Sequence, residues 1–275
     1  MAGREIQVDL TGEVAVVTGG AGVLCGTMAR ALAARGAAVA IVDIDAAAAE
    51  KAAAAIRADG GKAVGVRSSV LDRKDLEEAA RVVKEKLGVP TILVNGAGGN
   101  KKEATTGPEN SLFDLPAEAV RWVFDLNFLG TFLPTQVFGK MMVEGGRGIV
   151  VNISSMNAFR PLTKIPAYSA AKAAVSNFTQ WLAVHMSQSY GNKVRVNAIA
   201  PGFFETAQNR FLLRDEASGE LTPRGRQIVD HTPMGRFGAP DELVGALLWL
   251  VSDSSKFVHG VVLPVDGGYS AYGGV

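Results

Sequence analysis

Short β-branched runs alternate with longer Ala- and Leu-rich stretches along the whole chain. Val14 to Val17 reads as a buried strand ending in glycines, and Thr27 to Arg35 as a helix stopped by Gly36. Ala38 to Val42 is a second strand, followed by an Ala-rich helix from Ala46 to Ala58 that Gly60 and Gly61 close. Lys62 to Val66 is a third strand, and Arg73 to Leu87 a helix with Asp72 as its N-cap. A fourth strand, Thr91 to Val94, leads through a polar connection to a long helical region from about Pro116 to Val143. The pattern then gives a strand at Gly148 to Ile153, a helix at Pro166 to Tyr190 and a strand at Val194 to Ala200. A last helix near Asp241 to Val251 and a last strand near Val261 to Val265 complete it.

Strands that alternate with helices and are apolar on both faces predict a parallel sheet covered on two sides. No linker, repeat or charge block divides the 275 residues, so a single doubly wound α/β domain over 1–275 is expected. Two connections are too long for that pattern: 96–115, rich in Gly, Asn and Lys, and 203–239, of mixed charge. Both follow strand carboxyl ends, where such sheets bind ligands, and 203–239 is expected to be a substrate lid.

Composition narrows the class. Lys plus Arg is 28 against 27 Asp plus Glu, which gives no general pull on nucleic acid or an anionic membrane. Cys25 is the single cysteine and the three histidines are scattered, so neither a disulfide nor a metal site is expected. The leading residues lack an apolar signal region and no run is long enough to span a bilayer, so a cytoplasmic location is expected. Glycine, at 32 residues, is in excess, pointing to tight turns and close backbone approaches.

Three groups of residues carry chemistry. Val16 to Gly26 (VVTGGAGVLCG) passes from the first strand into the first helix, where bare N–H groups and the helix dipole suit a phosphate. Asp43 ends the second strand, where a carboxylate can accept from both ribose hydroxyls of an adenosine. It would repel a 2′-phosphate, and Ile44 beside it cannot neutralise one, so NAD (NADH) is favoured over NADP. Asp45 is the alternative helix cap there. Tyr168 and Lys172 are four apart on a helix, with Ser154 and Ser155 upstream. The ammonium is expected to lower the phenol toward a value useful for proton exchange with an alcohol. A serine hydrolase is disfavoured because no G-x-S-x-G elbow occurs.

In this combination the chain resembles the short-chain dehydrogenase/reductase family over essentially its whole length. Thr18-Gly19 with Gly22 resembles the family's cofactor loop, Asn95-Gly96-Ala97-Gly98 its N-x-A-G turn, and Pro201-Gly202 with Thr206 its nicotinamide segment. Asn127, Ser155, Tyr168 and Lys172 match its catalytic tetrad. The resemblance implies a Rossmann-type domain with a mostly parallel seven-stranded sheet. It also implies a cofactor set of Gly19, Gly22, Val23, Leu24, Asp43, Val70, Asn95, Ala97, Gly98, Tyr168, Lys172, Pro201, Gly202 and Thr206. Two departures stand out: Val23 and Cys25 occupy positions of loop glycines, and Ser69 replaces an aspartate before Val70. Cys25 is expected to be a packing residue.

Within the family, segments such as NISSMNAFRPLTKIPAYSAAKAAVSNFTQWLAVH and HTPMGRFG are similar to the branch that interconverts D-mannonate and D-fructuronate. That similarity implies a sugar-acid substrate and a homotetramer. Arg160, Lys101, Lys102, Gln208 and Asn209 are possible carboxylate partners, and Asn157, Lys164 and Arg210 are selected beside Ser155. Gluconate-type polyols, a carrier-bound 3-ketone, or a dinucleotide sensor without turnover stay open as alternatives.

Overall fold

The computed structural model describes residues 8–206, 209–215 and 218–274, so Gln208 and most of the leading segment lie outside the described residues. Seven strands form one sheet: β1 Val14–Thr18, β2 Ala38–Asp43, β3 Lys62–Arg67, β4 Ile92–Asn95, β5 Gly148–Ile153, β6 Val194–Pro201 and β7 Val262–Val265. Their order is β3-β2-β1-β4-β5-β6-β7 and every pairing is parallel. The chain reverses its direction of travel across the sheet between β1 and β4, which opens a crevice at the carboxyl ends of those strands.

The helices are α1 Val23–Ala34, α2 Ala46–Ala58, α3 Arg73–Lys86, α4 Ala117–Phe124, α5 Gly130–Gly145, α6 Pro166–Tyr190, α7 Arg210–Leu213, α8 Pro223–Asp230 and α9 Val244–Val251. Alternation along the strands divides the core in two. Ala15, Val17, Val39, Ile41, Ile92 and Val94 pack with α1, α2 and α9. Val14, Val16, Ala40, Val42 and Leu93 pack with α3, α5 and α6 on the other face. Both faces are covered, which is why these strands are apolar throughout.

The structure refines three boundaries. α1 begins at Val23, four residues before the expected start, because the open backbone from Gly19 to Gly22 completes its turn and lets the helix start at once. The long region from 117 is not one helix: α4 and α5 are joined by a π turn over Asp125–Leu129. The 203–239 connection carries α7 and α8 around a small apolar cluster of Leu213, Ile228 and Phe237. Asp45 accepts from Ala48 N at 3.0 Å and caps α2, so the cap and the ribose candidate at Asp43 are separate residues.

Candidate active site

A cleft of about 1040 Å³ opens at the strand carboxyl ends and is lined from every segment that the motifs single out. At its base Gly19 has a φ of +61° and a Cβ there would lie 2.9 Å from Ala97 Cα. Only glycine fits that turn. Thr18 Oγ1 accepts from Gly96 N and Ala97 N at 3.1 and 3.3 Å, tying the end of β1 to the exit of β4. α1 then starts at Val23 after its N-cap, Gly22, which makes no side-chain cap, leaving its first N–H groups for an anion.

Asp43 accepts from Ala21 N at 3.2 Å through Oδ2 and from Asp45 N at 3.2 Å through Oδ1. It therefore faces the glycine-rich turn with lone pairs left over. Val70, Ala97, Gly98, Pro201, Gly202 and Thr206 line the same cleft, as do Gly19, Gly22, Val23 and Leu24. Such a donor set suits a dinucleotide: free helix N–H groups for the pyrophosphate, a carboxylate for the ribose, and small residues where the backbone must approach. Asn95 is the exception. It is buried behind the cleft, donating to Thr135 Oγ1 and Asn152 Oδ1 at 2.9 Å each, and holds the sheet to α5 instead of facing a ligand.

Ser155, Tyr168 and Lys172 meet on one wall. Ser155 lies close enough to the Tyr168 hydroxyl to favour its ionised form. Lys172 Nζ lies 5.6 Å from the Tyr168 ring centroid and donates to Ile153 O at 2.8 Å. Asn127, buried in the π turn, donates to Gly99 O and Val123 O at 2.7 Å and accepts from Gly99 N at 3.2 Å. A Cβ on Gly98 would lie 2.6 Å from Asn127 Oδ1 and 3.2 Å from Lys172 Nζ, so Gly98 is where those two side chains converge.

The electrostatics correct one expectation. Burial raises the Tyr168 phenol above its ordinary value and outweighs the nearby Ser155 side chain, which lowers it. Burial also lowers the Lys172 ammonium to about 8. Both shifts favour neutral groups, as a dry wall must. The buried Cys25 thiol is pushed up to about 12, chiefly by burial, and its sulfur fills the space beside Gly96.

None of the sequence-selected substrate residues Asn157, Lys164 and Arg210 lines the cleft beside Ser155. Asn157 is buried, its N–H donating to Ser155 Oγ at 3.3 Å. Lys164 packs its carbonyl on Thr106 N, and Arg210 is exposed, pairing with Glu205 at 3.5 Å. Lys101 Nζ rests 4.9 Å from the centroid of Trp122, a ring that lines the cleft. Trp122, Leu126, Ile165 and Leu212 are lining residues that sequence reasoning missed. The first two lie four apart, a one-face spacing that could have revealed them. Among the described residues no group of His, Cys, Asp and Glu could hold a metal, and no helix is long and apolar enough to cross a membrane.

With this geometry in place, the comparisons with known proteins decide the family. Residues 22–270 match the family model described as enoyl-(acyl carrier protein) reductase. The chain belongs to the short-chain dehydrogenase/reductase family. It is 47% identical to the uncharacterised Bacillus subtilis oxidoreductase UxuB, over 98% of this chain and 99% of the relative. A Haemophilus influenzae protein described as a candidate D-mannonate oxidoreductase, crystallised with bound NAD, superposes with a TM-score of 0.91. It shares 49% identity over 97% of this chain and 98% of its own. A Burkholderia cenocepacia gluconate 5-dehydrogenase in complex with NADP and tartrate gives a TM-score of 0.85 at 30% identity, over 97% and 98% of the two chains. This short-chain dehydrogenase/reductase is an oxidoreductase acting on alcohol groups.

Proposed function

We propose that the protein interconverts D-mannonate and D-fructuronate with NAD(H). The observation that carries the reading is the meeting of Ser155, Tyr168 and Lys172 on one cleft wall, across from the uncapped start of α1. The sugar acid is supported by the likeness to the Haemophilus protein, and the NAD preference by Asp43 with Ile44 beside it.

In this reading Gly19, Gly22, Val23 and Leu24 hold the pyrophosphate, Asp43 the adenosine ribose, and Val70, Ala97 and Gly98 flank the adenosine half. Pro201, Gly202 and Thr206 hold the nicotinamide half. The bound dinucleotide supplies or accepts a hydride. Tyr168 gives the proton to the substrate carbonyl oxygen during reduction and takes it back during oxidation, while Ser155 donates a hydrogen bond to that oxygen. Lys172 holds the ribose hydroxyls. Asn127 holds a water that connects Lys172 to solvent. Asn95 acts behind the site.

For the substrate carboxylate we select Arg210. Glu205 is shared with Arg214, at 2.9 Å, so Glu205 keeps a partner when Arg210 turns to an anion. Asn157 and Lys164 complete the set through Ser155 and the rim. Residues 203–239 then act as a lid over the substrate. The aromatic file of Phe128 in the π turn, Phe132 on α5, and Phe178 and Trp181 on α6 is proposed as one interface of a homotetramer in the cytoplasm.

The test is a coupled assay of D-fructuronate with NADH against 5-ketogluconate, simple ketones and NADPH. Fastest turnover of fructuronate with NADH supports the reading. Preference for 5-ketogluconate moves the substrate to the gluconate branch, which the Burkholderia likeness favours as the second reading. Tyr168→Phe is expected to bind NADH and to lose turnover by at least about a hundredfold.

A further inference from the structure

Behind the cleft runs a buried polar chain that the proposed chemistry does not use. Thr131 Oγ1 donates to Asn127 O at 2.9 Å, and Thr135 Oγ1 donates to Thr131 O at 2.8 Å. Thr135 Oγ1 accepts from Asn95 Nδ2, whose second hydrogen goes to Asn152 Oδ1, each at 2.9 Å. Asn152 Nδ2 continues to Thr179 Oγ1 at 2.8 Å, and that hydroxyl ends on Val175 O at 2.8 Å. All these side chains are buried to within a few per cent of exposure.

Donation runs outward from Asn95 along both arms, and neither arm can be reversed. Rotating the Asn95 amide by half a turn would set its oxygen against Asn152 Oδ1 and against a Thr135 hydroxyl whose hydrogen is already given to Thr131 O. Asn95 Oδ1 is left buried without a partner, so the fold accepts an unsatisfied acceptor to keep both donors in use. A valine has nearly the shape of threonine and would bury at positions 131 and 135 without needing partners. The hydroxyls must therefore act on what they bond.

At the end of the chain, Thr131 grips the carbonyl of Asn127 inside the π turn. Hydroxyl bonds to the i−4 carbonyl bend helices, and π turns are held only where something over-determines them. The Asn127 side chain in turn clamps both the N–H and the C=O of Gly99, next to Gly98, where an added Cβ would lie 3.2 Å from Lys172 Nζ.

We propose that Thr131 is a positioning residue, holding the widened turn at Asn127 through this hydroxyl–amide chain and so placing the Gly98-Gly99 loop against Lys172. The role rests on the oxidoreductase reading. Thr131→Val and Thr131→Ser separate it from simple packing, since valine keeps the volume and serine keeps the hydroxyl. Two readouts are used: amide exchange at Gly99 in the protein without ligand, and kcat with KM for NADH. Thr131→Val is expected to speed Gly99 exchange and lower kcat, each by about tenfold, the loss of one hydrogen bond of roughly 1.4 kcal/mol, with KM for NADH little changed. Thr131→Ser is expected to restore both. Parental exchange at Gly99 in the valine variant, or a serine variant as impaired as valine, overturns the proposal. If Thr131→Val does not fold, Thr135→Val one turn further along carries the same exchange test, and parental Gly99 exchange in it overturns the chain. A parent protein that turns over no alcohol or ketone fails the oxidoreductase reading, while the exchange measurement still decides Thr131.

Discussion

Lys172 lies against the face of the Tyr168 ring, with its ammonium nitrogen 5.6 Å from the centroid and bonded to the Ile153 carbonyl. The two groups share one dry wall, where burial raises the phenol and lowers the ammonium to about 8. The arrangement stores a burial penalty on the lysine, and that penalty is measurable.

In the unfolded chain Lys172 has its ordinary value of 10.5, and in the fold about 8. Below pH 8 both states carry the proton and the penalty on the fold is complete. Between about 8 and 10.5 the unfolded state binds more protons, so this group makes the fold more stable as pH rises. Lys172→Met lacks the penalty, and its advantage over the parent should shrink by about 3 kcal/mol across that window, an order-of-magnitude figure. Urea unfolding of both proteins at pH 7.5 and pH 10 measures it. A difference that does not change with pH would contradict the burial of a charged lysine.

Gly98→Ala should lower turnover while leaving the fold intact. The added Cβ would meet Asn127 Oδ1 and Lys172 Nζ, which must move, at a cost of about 1–3 kcal/mol. Expected is a fall in kcat of at least about tenfold with a melting temperature lowered by only a few degrees. Steady-state kinetics beside a thermal melt checks both halves.

Asp43→Ser should weaken NADH binding, and the double variant Asp43→Ser/Ile44→Arg should accept NADPH. Serine removes the charge that repels a 2′-phosphate, and arginine supplies a bidentate partner for it. Loss of one charge-assisted hydrogen bond predicts a rise in KM for NADH of roughly tenfold or more. The ratio of kcat/KM for the two cofactors is the measurement; an unchanged ratio removes Asp43 from the ribose site.

On the proposed homotetramer, Trp181→Arg should give smaller species. Trp181 is 55% exposed at the end of the file that stacks through Phe178 and His185, so a large ring faces solvent in the isolated chain. Light scattering on parent and variant should give a tetramer for the first and smaller species for the second. A parent that is monomeric at micromolar concentration excludes the interface.

Strand and helix placement was legible because alternation of apolar residues is periodic and local: β2, α2, β5 and α6 begin where the pattern predicts. The turn at Gly19 to Gly22, Asp43, Ser155, Tyr168 and Lys172 were also legible, since each sits at a strand end or on a one-face spacing. The π turn at Asn127 was not, because it follows from a hydroxyl bond to a backbone carbonyl and leaves no mark in hydropathy. The side chain of Asn95 was open for a related reason: a strand-end asparagine can face a ligand or the sheet, and only the positions of Thr135 and Asn152 show where its amide goes. The neutral wall around Tyr168 required knowing burial, which spacing cannot give.

α1 begins at Val23, after Gly22, with nothing from the protein's own side chains to complete its first turn. A bound anion satisfies those N–H groups better than water does, so a bound dinucleotide adds to the stability of the fold. At a dinucleotide concentration a hundredfold above its dissociation constant, the gain is about 2.7 kcal/mol. A preparation stripped of small molecules would then melt earlier and be cut by proteases sooner than the same chain in a nucleotide-rich cell, and sudden depletion of the dinucleotide would shorten the protein's lifetime.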